Sequence, residues 1–200
     1  MNVLRQRYSK ELLTGFTVVE LLVVIGIMAI VTATTLINYP QFSRRLDTER
    51  EAQLVALALR DAEERAIRTH RAGGVFTAPF GVHFIENSDQ YILFSDTGGD
   101  ANFYNPGEEL ETISLGRGVR VNDICQFEKN PLLGTNCDIT SLSVTFRRPA
   151  PFIEIHGVMG GFPQVDLGEP DFEIHVDNNG EYEKTIVIWT TGAISIEDSP

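Results

Sequence analysis

The sequence predicts an α+β protein in which a long N-terminal helix is packed on a C-terminal antiparallel β-sheet domain. An apolar run over 16–37 contains one ionisable side chain, Glu20, and its roughly 22 residues are enough to cross a hydrocarbon core as a helix. Residues 38–73 then show helical spacing, and 74–200 break into short β-like runs. A single globular domain plus a membrane-spanning segment fits a chain of 200 residues.

The segment after the apolar run predicts an amphipathic helix that continues the first, from about Phe42 to Arg71. Its small and apolar residues recur three and four apart, which places them on one helix face. They are Val55, Ala58, Leu59, Ala62 and Ala66. Opposite charges four apart decorate the other face, as in Arg60/Glu64, Asp61/Arg65 and Glu64/Arg68.

Two breakers bound this second helix. Pro40 lies just past the apolar run and is expected to end or kink the helix there, since proline lacks a backbone N–H. Gly73 and Gly74 are expected to stop it. The domain boundaries therefore fall near 37 and 73.

Short runs rich in β-branched and aromatic residues predict the strands. They cover 80–84, 91–95, 111–114, 119–121, 141–146, 152–156, 172–176, 184–189 and 193–196. The stretch Asp177-Asn178-Asn179-Gly180 predicts a hairpin, because Asn-Gly tolerates positive φ, and Thr191-Gly192 predicts a second one. We expect one antiparallel domain packed on the C-terminal half of the helix.

The charge balance restricts the partners. The formal net charge is -12, and an acidic domain repels phosphate backbones, so direct nucleic-acid binding is not expected. Arg147-Arg148 is the candidate basic pair in the C-terminal half. Two adjacent arginines in a strand are more often exposed to solvent or ion-paired.

The chain has two cysteines, Cys125 and Cys137. In an oxidising compartment a disulfide closing this short loop is the expected use, and Pro131 and Gly134 give the loop turn chemistry. No further ligands flank the cysteines at metal-site spacing.

The apolar run follows the basic residues Arg5, Arg7 and Lys10. The positive-inside bias places these in the cytoplasm and everything after Ile37 outside. An ordinary secretory signal, cut near Ala29 or Ala33, and a plain signal anchor remain alternatives. Neither explains Glu20, whose carboxylate costs several kcal/mol if left unpaired in lipid.

Residues Gly15-Phe16-Thr17-Val18-Val19-Glu20-Leu21-Leu22 resemble the cleavage and methylation motif of type IV pilins and type II secretion pseudopilins. The resemblance implies that a membrane prepilin peptidase removes residues 1–15 by cutting between Gly15 and Phe16, and that the new amino group of Phe16 is methylated. It also implies a pilin-like β-sandwich, single-pass insertion in the bacterial inner membrane with the C-terminal domain outside, and no enzymatic activity.

The resemblance extends, more diffusely, to the GspH/FimT class of minor subunits. The segments that carry it are LRDAEERAIRTHRAGGV, FSDTGGDANFYNPGEELETISLGRGVRV and IVIWTTGAISI. The mid-domain cysteines and the late Pro40 depart from major pilins and favour a minor subunit. The implied partners are other pilin or pseudopilin subunits, the prepilin peptidase, an inner-membrane assembly platform and membrane lipid.

The resemblance gives Glu20 a physical role. Cleavage would create an ammonium on Phe16 about one helical turn from the carboxylate, and this ammonium can pair with Glu20 of a neighbouring subunit. A buried charge is far less costly when it is paired. One donor and one acceptor on each subunit would favour open helical assembly. We therefore hypothesise that Glu20 is an assembly residue.

The β domain offers one candidate ligand site. The loop from Asp96 to Glu109 is rich in oxygen ligands of the kind that calcium binds, and the candidates are Asp96, Asp100, Asn102, Asn105 and Glu108. A solvated loop with turn residues is the alternative. No other cofactor is expected.

Other polar and aromatic residues fit structural roles. His70, His83, His156 and His175 show no metal spacing and no catalytic arrangement, and Trp189 is expected in the core.

The alternative functions are a membrane-anchored extracytoplasmic binding module and a minor pilin for DNA uptake or adhesion.

Overall fold

The structure is a computed structural model that describes residues 15–68, 78–98, 103–126, 134–147, 152–160, 162–164 and 171–198. One helix, α1 (Val18–Ile67), precedes the strands. The strands are β1 (Phe80–Ile85), β2 (Gln90–Ser95), β3 (Glu109–Ser114), β4 (Val119–Gln126), β5 (Ile139–Arg147), β6 (Phe152–Met159), β7 (Phe162–Gln164), β8 (Asp171–Asn178), β9 (Glu183–Trp189) and β10 (Ile194–Asp198). This α+β order confirms the predicted fold class.

Helix α1 runs through Pro40 without interruption, so of the two expected effects of this residue, an end or a kink, the end does not occur. Proline removes one helical hydrogen bond. Ending the helix would instead leave up to four amides and four carbonyls without helical partners. The helix ends at Ile67, and the expected stop at Gly73 and Gly74 lies outside the described residues.

By internal contacts the chain divides into two compact units, Met1–Phe42 and Ser43–Pro200. The second unit contains the end of α1 and two sheets. The larger sheet has the strand order β3-β2-β1-β5-β6-β7, and the smaller one has the order β10-β9-β8-β4. Every pairing between neighbouring strands is antiparallel.

Each predicted strand overlaps one of these strands, whereas β7 was not predicted. Both predicted hairpins are confirmed. The turn between β8 and β9 places Asn179 at φ 55° and Gly180 at φ 73°, the conformation that the Asn-Gly pair accepts at low cost. The turn between β9 and β10 places Gly192 at φ 94°, and its amide donates to the Trp189 carbonyl.

The core of the second unit is formed by α1 together with both sheets. Val55, Leu59 and Ala62 are fully buried and Ala66 is nearly so, while Ala58 packs at their margin, which confirms the predicted helix face. The largest buried side chains opposite them come from both sheets and include Phe84, Phe146, Phe172, Ile174 and Ile188. Removal of this apolar surface from water is the main stabilising contribution to such a domain.

Trp189 is not part of this core, so that prediction is wrong. Ile186 and Ile188 point into the core from β9, and successive strand residues point to opposite faces. Trp189 therefore lies on the other face of the sheet, where it is half-buried.

Ion pairs hold α1 to the smaller sheet. Lys184 on β9 contacts Glu49 on the helix at 2.9 Å and Asp198 on β10 at 2.5 Å. Hydrogen bonds to Asp198 and Glu49 raise the pKa of Lys184. On the helix itself the predicted pairs Asp61–Arg65 and Glu64–Arg68 form. Arg60 pairs with Glu63 instead of the predicted Glu64.

Candidate assembly site

The start of α1 is fixed by Thr17. Its hydroxyl oxygen accepts the Glu20 backbone amide at 3.2 Å, and its carbonyl accepts the Leu21 amide at 3.2 Å. Thr17 is thus the N-cap, and Glu20 is the third helical residue. Threonine followed three residues later by glutamate is the spacing of a capping box, a local signal of the helix start that is absent from the expectations above. Glu20 therefore lies where the helix dipole favours a negative charge.

The predicted processing residues lie at this exposed end of the helix. Gly15 and Glu20 are exposed, and the Phe16 side chain is 84% exposed. A Cβ added at Gly15 would meet no atom of the described residues within 4 Å. Packing in this structure therefore does not require glycine at that position.

The rest of the first unit presents apolar side chains outward. Between Phe16 and Phe42 the large apolar side chains are from 48% to 84% exposed. The described residues contain one helix long and apolar enough to cross a membrane, and the apolar part of that helix has no buried residue. An exposed apolar surface of this length is unfavourable in water.

Threonines within this segment satisfy their hydroxyl groups locally. The Thr32 hydroxyl donates to the Met28 carbonyl at 2.8 Å, and the Thr35 hydroxyl donates to the Val31 carbonyl at 2.7 Å. Because each donor has an acceptor inside the helix, these residues are compatible with an apolar environment.

The predicted disulfide between Cys125 and Cys137 is present. It joins the end of β4 to the residues before β5. The backbones of Gln126 and Asn136 exchange hydrogen bonds of 2.9 and 3.0 Å beside it. With Asp123, the two cysteines form the one group of three potential metal ligands in the described part of the chain. Both sulfurs are in the disulfide, so this group is not a metal site.

In the loop proposed for calcium, the carboxylate of the candidate ligand Glu108 accepts hydrogen bonds from backbone amides of the same loop. One carboxylate oxygen of Glu108 accepts the Thr97 and Gly98 amides at 3.1 and 2.9 Å, and the other accepts the Asn105 amide at 3.1 Å. Glu108 therefore fastens the two ends of the loop to each other. Asp96 is buried, whereas Asp100 and Asn102 lie outside the described residues.

A second small cluster surrounds His83 on the larger sheet. His83 Nδ1 lies 2.8 Å from the Ser143 hydroxyl, which also accepts the Tyr104 amide at 3.3 Å. The Tyr104 ring lies against the imidazole, with 4.7 Å between centroids. Burial lowers the pKa of His83 to about 4. The Ser143–His83 pair is buried and holds the loop residue Tyr104 on the sheet.

The other histidines considered in the sequence lie apart from His83. His175 Nδ1 lies 2.7 Å from a Glu183 carboxylate oxygen and 3.3 Å from the Thr185 hydroxyl. His156 is buried on β6, and His70 lies outside the described residues. No cluster of potential metal ligands in the described ranges includes a histidine.

The site with the most distinctive chemistry is therefore the start of α1, where a carboxylate begins a long exposed apolar helix.

Comparison of the chain with models of protein families, with curated proteins and with solved structures gives no match.

Proposed function

We propose that this protein is a structural subunit, and a minor one, of a type IV pilus or a type II secretion pseudopilus. One observation carries the proposal: an exposed apolar helix face extends from Phe16 to Phe42, with Glu20 as the ionisable side chain near its start. A lipid bilayer covers such a surface before assembly, and the helices of neighbouring subunits cover it afterwards.

The amino group exposed by cutting between Gly15 and Phe16 would be the partner of Glu20. In an apolar filament interior, an unpaired carboxylate or ammonium is costly, whereas the pair is tolerated. Pairing between neighbours therefore favours subunits in one register. The capping bond to Thr17 uses the backbone amide of Glu20 and not its carboxylate, so the charge is available for this contact.

The same proposal sets the location and the partners. The basic leader stays in the cytoplasm, where the prepilin peptidase acts, and the β domain projects outside the inner membrane. The disulfide between Cys125 and Cys137 supports an oxidising compartment for that domain. An assembly platform in the membrane and other subunits of the filament are the remaining partners.

Processing gives a direct test with a matched control. We expect Gly15→Val to leave the leader attached, while the β domain keeps its melting temperature, since open space surrounds Gly15. Gly26→Ala is the control, because open space also surrounds Gly26 but it lies away from the cut. Intact-protein mass spectrometry after expression with a prepilin peptidase should show removal of 1–15 from the wild type and from Gly26→Ala only. Cleavage of Gly15→Val, or a wild type cut after the apolar run, would contradict the proposal.

A further inference from the structure

A groove lies in the second unit between helix α1 and the outer strands of the larger sheet. Leu54 and Leu57 of the helix line one side, and Leu93 and Ile113 of β2 and β3 line the other. The groove encloses about 380 Å3. Leu54 is 39% exposed and Leu57 is 62% exposed, so the groove is open along the helix.

The position of β3 leaves one side of this groove open. It is the last strand of the larger sheet, and no strand in the described ranges pairs with its outer edge. The side chains of β3 are almost all exposed. An added polypeptide segment would therefore reach the groove without displacing any described element.

The charged groups that line the groove are all carboxylates: Glu51, Asp61 and Glu111. Asp61 is paired with Arg65 at 2.7 Å. No ion pair among the described residues joins Glu51 or Glu111 to a cation. Tyr91 also lines the groove. Its burial, together with the nearby carboxylates of Glu51 and then Glu111, raises its pKa to about 12. Two carboxylates without an ion pair in the described ranges, the buried Glu51 and the exposed Glu111, thus lie beside an apolar surface.

We propose that this groove is a docking site for a segment of another protein that carries both apolar and basic side chains. Leucine-like side chains of the segment would cover Leu54 and Leu57, and a lysine or arginine would lie beside Glu51 and Glu111. Charge complementarity of this kind selects the partner and sets the association rate. An anionic lipid surface or a nucleic acid would be repelled.

This inference concerns a different surface from the N-terminal helix and does not rest on the proposed function. It can be tested with the full chain in nanodiscs of zwitterionic phosphatidylcholine, with empty nanodiscs as the blank. The probe is a short fluorescent peptide of alternating leucine and lysine, and its twin has glutamate in place of lysine. Binding is followed by fluorescence anisotropy at two salt concentrations.

Three variants locate the binding. Glu111→Lys reverses a charge in the groove, and Leu57→Ser removes exposed apolar surface from it. Asp138→Lys makes the same change in net charge at an exposed residue that does not line the groove. A melting temperature is measured for each variant, so that a loss of binding can be separated from a loss of fold.

We expect saturable binding of the lysine peptide and none of its glutamate twin. The Kd should rise at least about tenfold in Glu111→Lys and Leu57→Ser, stay within about twofold in Asp138→Lys, and rise with salt. An equal effect of Asp138→Lys would show unspecific attraction and overturn the inference. No saturable binding to the wild type, or self-association abolished by Leu57→Ser without peptide binding, would overturn it as well.

Discussion

Between pH 6.5 and pH 4 the β domain should lose about 3 kcal/mol of stability through His83 alone. His83 is buried, and burial lowers its pKa from 6.5 to about 4. Over this interval the unfolded chain binds a proton at this residue and the folded chain does not, so folding becomes less favourable as the pH falls. Above pH 6.5 the imidazole is neutral in both states, and the contribution is fully present.

This prediction is measured as the free energy of unfolding in urea at a series of pH values. His83→Asn keeps a polar group near Ser143 but cannot titrate, so its stability should fall less steeply over the same interval. Ser143→Ala removes the hydrogen bond but leaves His83 buried. It should be less stable at every pH and should keep the wild-type slope. Parallel curves for the wild type and His83→Asn would show that His83 is not the titrating group.

Replacement of Gly81 by alanine should destabilise the domain by about 3 kcal/mol, as overpacking of a rigid site does. Gly81 lies on β1, in the interior of the larger sheet. A Cβ added there would lie 2.6 Å from the Val144 carbonyl oxygen and 2.8 Å from the Phe94 ring. The backbone carbonyl belongs to the paired strand β5 and cannot move without breaking the sheet register.

Gly116→Ala is the matched control for this prediction. The nearest atom to its added Cβ would be a Glu51 carboxylate oxygen at 2.5 Å, and a side-chain tip can move where a backbone cannot. We expect a loss below about 1 kcal/mol. Thermal unfolding of both variants, followed by circular dichroism, separates the two cases. Equal losses would show that the contact with Val144 and Phe94 is not the cause.

Both predictions concern one face of the larger sheet. Gly81 makes room for the Phe94 ring, which lies 5.6 Å from the Tyr104 ring, and Tyr104 lies against His83. Gly81→Ala should therefore also disturb the loop that covers His83.

Local patterns in the sequence predict much of this fold. The apolar run, the buried face of α1 and the strands depend on periodicity within a few residues. The Asn179-Gly180 and Gly192 turns depend on backbone preferences of single residues. The predicted Cys125–Cys137 disulfide also closes a short loop, so its partners are close in sequence.

The surroundings of His83 depend on distant contacts, whereas the other features that differ from expectation are local. Nothing near His83 in the sequence indicates that Ser143 and Tyr104 will cover it. The continuation of α1 through Pro40 reflects the balance of one lost hydrogen bond against a whole helix end. Trp189 is expected in the core as a large apolar side chain, but strand alternation turns it to the other face of the sheet. The Thr17 cap could be predicted from the sequence, since threonine followed three residues later by glutamate is the spacing of a capping box.

The central claim is that the charge of Glu20 drives assembly. Glutamine can replace glutamate in a capping box, so Glu20→Gln keeps the cap and removes the charge. The decisive measurement is the amount of processed Glu20→Gln subunit in isolated filaments, relative to its amount in the membrane. We expect this ratio to fall at least about tenfold, because the Phe16 amino group of a neighbour is left unpaired. Incorporation of Glu20→Gln at the wild-type ratio would contradict the claim.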